Sequence, residues 1–502
     1  MNIKQLLLVF FGATVLAACS KLEEKYRGSV EAVAQGGVNV GDVLQGAYNA
    51  LNNPFQDQSR FWAASQHTTD ETIGPTRGPD WDDNGVWRVL HSHNWDADHL
   101  FLRDTYRELL QAQYAASNVL ALNPSAQQAA EAKFIRALSM WCILDGWDQV
   151  PYRKDLDKVT VLPEVLKGKA AFDFILKDLT EALPNLGTSS KIKANKDAAR
   201  SLMMKLYLNK GVYAGNRKTP SFDAADMNQV IALADQIIAG GYSLETNYFD
   251  AFAADNSSKS KEMIYALENT NGLRGGNNQS RWYCTLHYNQ RPSGWNGFTT
   301  VAETYDRFQA GDKRLTADYA GVTNVSGLKA GLLIGQQFDQ TGAALKDRKN
   351  NNLAYTKAVK LKETGNDLEI TGIRVIKYTP DYPREGQQAE NEYIIFRLAD
   401  VLLMKAEALV RTGKAAEGLV IVNQIRTNRG ATPFASLTLD NLLDERSREL
   451  YWEGWRRNDL IRFGKFLGTW TEKSASGDER LLFAIPSEQL AVNPNLTQNP
   501  GY

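Results

Sequence analysis

Hydrophobic positions recur every three or four residues over much of both ends of the chain, the spacing that gathers them on one face of an α-helix. Between Asp98 and Leu122, Leu102, Tyr106, Leu109, Leu110 and Tyr114 form such a stripe. Asn123-Pro124-Ser125 interrupts it, and Ala126 to Gly146 reads as the returning helix. Gly41 to Asn53, Ala170 to Leu183, Asp197 to Tyr213 and Ala224 to Ala239 continue the pattern, while residues 53–96 are rich in turn formers. Late in the chain, Ala399, Leu402, Leu403, Ala406 and Leu409 make one stripe, Thr412-Gly413-Lys414 predicts a turn, and Ala415 to Arg426 predicts a second helix. A helix, a tight glycine turn and a second helix within ~34 residues is the tetratricopeptide-like unit. Phe172 to Tyr213 reads as a more degenerate copy. Such a pair cannot bury its apolar face alone, so several should stack into a superhelix. The expected fold is mainly α, a tetratricopeptide-like helical-repeat superhelix. Residues 243–395 break the periodicity and read as an irregular, loop-rich insert with short strands near Glu262–Leu267 and Ile373–Tyr378.

The N-terminus carries a different pattern. Met1-Asn2-Ile3-Lys4 is a short basic region, Leu6 to Leu16 is almost wholly apolar, and Leu16-Ala17-Ala18-Cys19 closes it. An apolar run of about eleven residues is too short to span a bilayer and suits a signal-peptide core. The small-residue site ending in cysteine resembles the bacterial lipobox, which implies lipidation of Cys19 and cleavage just before it. The expected organisation is a signal peptide over 1–18, a tether over 19–40, an N-terminal helical part over 41–242, the insert over 243–395 and a C-terminal part over 396–502. The last three together form one domain.

Composition narrows the function. The 502 residues hold 57 Lys plus Arg against 58 Asp plus Glu, so a nucleic-acid-binding role resting on bulk charge is disfavoured. Besides Cys19 only Cys142 and Cys284 remain, which excludes a disulfide scaffold and leaves open whether those two pair. Cys142 lies in an apolar helix and reads as a small core residue. The five histidines, including His91, His93 and His99, show no metal-ligand spacing and read as solvated loop residues. The chain lacks a GxSxG elbow, a P-loop and a GxGxxG run, and its adjacent acids are no more than its acid content produces. An enzyme is not expected, nor a cofactor or metal.

The aromatic content is high: 11 Trp, 20 Tyr and 19 Phe. Two polar, glycine-bearing loops concentrate it. One runs from Gly74 through Trp81-Asp82-Asp83-Asn84-Gly85 to Trp87; the other holds Trp282, Tyr283, Arg291, Trp295 and Asn296. Sugar rings present flat C–H faces that dock on indole and phenol, while Asp, Asn and Arg bond the hydroxyls. We therefore expect Trp81, Asp82, Asp83, Trp87, Trp282, Tyr283, Arg291, Trp295 and Asn296 to form a glycan-binding surface. Trp81 and Trp282 are expected as platforms, and Trp87 is expected to turn inward.

Three separated motifs carry a family resemblance. Arg446-Ser447-Arg448-Glu449-Leu450-Tyr451-Trp452-Glu453-Gly454-Trp455-Arg456-Arg457-Asn458-Asp459 resembles the signature helix of the SusD/RagB lipoproteins. Phe396 to Ala408 matches a second motif, and Ile485-Pro486 with Asn493-Pro494 and Gln498 to Tyr502 matches their terminal one. The resemblance implies an outer-membrane lipoprotein that captures nutrients, usually glycans, and caps a SusC-like TonB-dependent transporter, with Glu23 and Glu24 resembling surface-export signals. A peptide- or protein-binding lipoprotein of the same uptake type is the alternative. The signature residues themselves read as structural: Glu449 with Glu453, and Glu453 with Arg456 or Arg457, stand three or four apart and would pair along one helix face, and Asp459 would join the network.

Overall fold

A computed structural model describes residues 38–154, 156, 160–270, 277–384 and 388–502. Cys19, the apolar N-terminal run and Glu23-Glu24 lie outside the described residues. The principal helices are α1 (Val40–Asn49), α2 (Leu100–Leu120), α3 (Ala126–Trp147), α4 (Gly168–Ala182), α5 (Lys196–Leu208), α6 (Ala224–Ile238), α7 (Leu398–Arg411), α8 (Ala415–Asn428), α9 (Leu439–Leu450) and α10 (Arg456–Arg462). Helices α2 and α3, α3 and α4, α5 and α6, and α7 and α8 pack as neighbouring pairs, and α6 joins the early pairs to α7. The mainly helical, tetratricopeptide-like architecture is the expected one. The α2–α3 turn forms where Asn123 takes a left-handed backbone, after which Ser125 and Gln128 make a reciprocal capping box. From Ala130 onward α3 is buried on nearly every side, so it is the central helix of the core.

The insert adds short strands. β3 (Met263–Leu267) pairs antiparallel with β6 (Tyr393–Arg397), and β4 (Ala330–Leu333) pairs antiparallel with β5 (Arg374–Ile376). Strands β1 (Gln149–Tyr152) and β2 (Glu164–Lys167) form a separate hairpin after α3.

The signature segment is not one helix. α9 ends at Leu450, Trp452 and Gly454 adopt left-handed backbone with φ of 60° and 83°, and α10 begins at Arg456. The break abolishes the three-or-four spacing across it, so Glu453 does not pair with Arg456 or Arg457. Each charge instead finds a partner from a distant segment. Glu449 accepts from Arg397, Arg429 and Arg314 at 2.8, 2.9 and 3.0 Å. Glu453 accepts from Lys377 and Arg397 at 2.5 and 2.7 Å. Arg456 reaches Asp70 at 2.7 Å, Arg457 reaches Asp145 at 3.3 Å, and Asp459 accepts from Arg446 and Arg462 at 2.8 and 2.6 Å. All of these groups are buried, where an unpartnered charge would be costly. The network thus fastens the terminal helices to the start of the chain, to β6 and to α7.

The bend also supports the loops above it. Trp62, in the short helix Phe61–Gln66, donates through Nε1 to the Trp452 carbonyl at 3.1 Å, and Gln66 accepts from Gly454 N–H at 3.1 Å. All five histidines are buried rather than solvated. His91 and His93 each set both ring nitrogens against oxygens of neighbouring segments, and burial lowers the pKa of both. They pin the 86–93 segment to residues 68–72 and 471–476. Cys142 and Cys284 are buried and unpaired.

Candidate functional site

The two aromatic loops meet. Ile73 and Thr299 exchange backbone hydrogen bonds at 2.9 and 3.0 Å, which zips the segment before the first loop to the end of the second. Beyond that bridge the backbone at Trp81, Asp83, Asn84 and Gly85 is left-handed, with φ of 60°, 40°, 54° and 81°. Left-handed backbone is rare for a bulky residue and marks a place where the surroundings dictate the conformation. Here it sends the Trp81 indole across to the second loop, where its Nε1 donates to the Trp295 carbonyl at 2.7 Å. The ring sits 4.9 Å from Phe298 and 6.0 Å from Trp87, centroid to centroid. It rests directly on Gly297: a Cβ there would lie 2.3 Å from two indole carbons, so only glycine fits.

The second loop folds back on itself. Trp295 N–H donates to the Tyr283 carbonyl at 2.6 Å, Asn296 N–H to Leu286 at 2.8 Å and Gly297 N–H to Cys284 at 2.8 Å. Trp282 and Tyr283 share the single turn Ser280–Tyr283, their ring centroids 6.1 Å apart, but differ in burial. Trp282 is fully buried, so it is a packing residue and not the platform expected. Tyr283 is half-buried and stacks on Trp295 at 6.1 Å and 21° between planes, leaving Trp295 50% exposed.

Between these rings and the start of α2 lies an open cleft of about 950 Å³. Trp81, Trp295 and Tyr288 form one wall, and Leu100 and Phe101 face them from α2. Trp87 floors it, packed on Phe101 and Phe298 at 4.5 and 4.6 Å, with its Nε1 donating to Asp83 at 2.8 Å. The inward turn expected of Trp87 is the one seen. The first turn of α2 is held in register by His99: its Nδ1 accepts from Leu102 N–H at 3.4 Å, so Nε2 carries the proton and donates to the Val86 carbonyl at 3.0 Å. Burial lowers the His99 pKa, in keeping with this neutral form. Asp80, Asp83, Asp96 and Asp98 stand exposed around the rim, with the amides of Asn84 and Asn94.

Trp81, Asp83, Trp87 and Trp295 therefore line one cleft, and the other expected residues do not. Asp82 faces Arg88 at 2.7 Å. Asn296 is buried and accepts from Arg374 at 2.7 Å, so it braces the loop instead of meeting solvent. Arg291 is exposed but lies over Tyr382, away from the cleft. Sequence reasoning missed the α2 wall and Tyr288. Tyr288 donates to Asp80 at 3.2 Å beneath the Arg348 guanidinium, 3.9 Å above its ring. The available signal was the exposed Leu100 beside the Asp96 and Asp98 turn, an apolar residue where an amphipathic helix should be polar.

Among the described residues no group of three or more His, Cys, Asp or Glu side chains is arranged to hold a metal ion.

Comparison with known proteins fits this geometry. The model of the SusD family matches residues 261–480. The chain is 27% identical to the starch-binding protein SusD of Bacteroides thetaiotaomicron over 420 residues, 75% of this chain and 73% of that protein. It is 24% identical to the SusD-like protein P38 of Formosa agariphila over 91% of this chain and 90% of that one. Among solved structures, a laminarin-binding SusD-like protein superposes with a TM-score of 0.70 at 20% identity, covering 92% of this chain and 99% of its own. Surface glycan-binding protein A of Bacteroides thetaiotaomicron, solved with laminarihexaose, superposes with a TM-score of 0.69 at 16% identity, covering 92% and 98%. The bent, charge-locked signature segment lies within the residues that match the SusD family model, and the chain is similar to SusD and SusD-like proteins over most of its length.

Proposed function

We propose that this protein is a non-catalytic receptor, anchored in the outer membrane through a lipid on Cys19 and facing the cell exterior, that captures a glycan and passes it to a SusC-like TonB-dependent transporter. The observation that carries the reading is the meeting of Trp81 and Trp295 in an open cleft whose floor is aromatic and whose rim is carboxylate and amide. Flat apolar faces bordered by hydrogen-bonding groups suit sugar rings, which are apolar on their faces and polar at their edges. The relatives named above for what they bind are named for starch and laminarin, and none of those names describes an enzyme. A cleft this open offers room for several sugar residues of a chain and no enclosed chamber from which water is excluded, which suits capture better than turnover.

The test is affinity electrophoresis and calorimetry against starch, laminarin, mannan, xylan, pectin and alginate, with pentalysine and a neutral peptide mixture alongside. At least one polysaccharide is expected to bind, and Trp295→Ala is expected to weaken it. Binding of peptides with no polysaccharide bound would replace the glycan reading by peptide capture.

A further inference from the structure

We propose that the cleft selects uncharged glycans and turns away polyanionic ones, those bearing uronate or sulfate groups. The proposal deepens the glycan-binding reading and rests on it. Four carboxylates, Asp80, Asp83, Asp96 and Asp98, stand exposed around the cleft, and among the described residues no lysine or arginine lines it. The cations nearby already face acids: Arg88 meets Asp82 at 2.7 Å, Arg60 meets Glu108 at 2.9 Å, and Arg348 meets Glu369 at 2.6 Å. Two of them reach the edge of the cleft: Arg60 donates to Ser59 at 2.6 Å with its charge shared among Asp57, Asp104 and Glu108, and Arg348 lies 3.9 Å from Asp80 with its charge shared between that acid and Glu369. Asp83, Asp96 and Asp98 have no basic partner among the described residues.

Two physical effects follow. A cleft of about 950 Å³ is roughly 10 Å across, close to the ~8 Å Debye length at physiological salt, so an anion inside it feels carboxylates on both walls. An ionised carboxylate also only accepts hydrogen bonds. A sugar hydroxyl satisfies it by donating, whereas a uronate or sulfate brings further acceptors and the same sign of charge, an arrangement that works as exclusion of the wrong ligand. The aromatic walls are indifferent to that difference, so the carboxylates decide between two chains with the same backbone.

The experiment compares each polysaccharide that binds with its carboxymethyl derivative and, as an uncharged derivative of similar bulk, its hydroxyethyl derivative. Calorimetry is run at 0.15 M and 1 M sodium chloride, on the parent protein and on the triple variant Asp83→Asn, Asp96→Asn, Asp98→Asn. The carboxymethyl chain should bind at least tenfold more weakly than the hydroxyethyl chain at 0.15 M salt. Most of that gap should close at 1 M salt, where the Debye length is ~3 Å, and in the triple variant. Carboxymethyl and hydroxyethyl chains binding alike, a gap that neither salt nor the variant narrows, or pectin and alginate as the only ligands would each overturn the selectivity while leaving glycan capture standing. If no polysaccharide binds at all, capture fails and the selectivity falls with it.

Discussion

Trp282 and Trp295 sit thirteen positions apart in the same aromatic-rich loop, and their surroundings assign them opposite work. Trp295 is half exposed and braced by Tyr283, so its truncation should leave folding intact and remove a stacking face, a loss on the order of 1–3 kcal/mol or roughly ten- to a hundredfold in affinity. Trp282 is fully buried, and Trp282→Ala should instead cost about 3–5 kcal/mol of stability through the cavity it leaves. Urea unfolding beside calorimetry on the best polysaccharide separates the two; equal stability losses in both variants would contradict the assignment. Gly297 offers a subtler test. Because a Cβ at this position meets the Trp81 indole at 2.3 Å, Gly297→Ala should unseat that ring and weaken binding about as much as Trp81→Ala does. Unchanged affinity in a folded Gly297→Ala protein would mean that Trp81 does not form the binding face.

At the level of elements, the break between α9 and α10 converts a sequence-local charge pattern into a tertiary lock. Arg397, the last residue of β6, contacts Glu262, Glu449 and Glu453 at 2.9, 2.8 and 2.7 Å, all of them buried. Removing one member of such a set strands the others, which typically costs 3–5 kcal/mol. Arg397→Ala is therefore expected to lose about that much stability, read as a lowered urea midpoint, although it lies outside the aromatic cleft. A midpoint within error of the parent would show that the network is energetically slack. The same bend holds Trp62 and Gln66 under the first aromatic loop, so the lock and the cleft floor share a foundation.

For the whole molecule, buried charge sets how stability responds to pH. Burial lowers the pKa of His67, His91, His93, His99 and His287 below the ordinary value of 6.5. The unfolded chain then takes up protons that the folded one refuses, so stability is intact above pH 6.5 and falls below it, by about 1.4 kcal/mol per pH unit for each histidine held fully neutral. A second fall should follow below about pH 4.5. Burial alone would raise the carboxyls of Asp70, Asp400 and Glu449, but the neighbouring Arg456 and Arg307, Lys205 and Arg446, and Arg429, Arg397 and Arg314 hold them well below the usual range. In the same way Arg462 and Arg411 bring Glu407 to about 2. Those contributions are present above the unfolded-state values and vanish as the carboxyls protonate. Urea midpoints should thus stay level between pH 7 and 8, drop between pH 6.5 and 5, and drop again below 4.5; a flat profile from pH 7 to 5 would contradict the buried-histidine account. The anchor is tested separately: Cys19→Ala should yield folded protein that neither takes up palmitate nor partitions into detergent, and unchanged labelling would exclude lipidation at that residue.

The helices were legible because their information is local. The stripes that predict α2, α3, α7 and α8 place their ends within a few residues, since an apolar spacing of three or four positions and a turn at Asn123-Pro124 or Gly413 need no distant partner. The aromatic loops could be recognised as a pair by composition, and Trp81, Asp83, Trp87 and Trp295 could be named from it. Which rings would face the cleft could not. That followed from a left-handed turn at Trp81, from the backbone bonds that fold residues 283–298 over Trp282, and from the arrival of α2 as the opposite wall. The charges of the signature segment were visible as a structural set, but their partners, Asp70, Asp145, Arg314, Lys377 and Arg397, come from segments far away in the chain. Periodicity records what a residue does with its near neighbours on one helix. Pairing of buried charges and exposure of loop aromatics depend on which distant surfaces arrive beside them, and only the tertiary structure decides that.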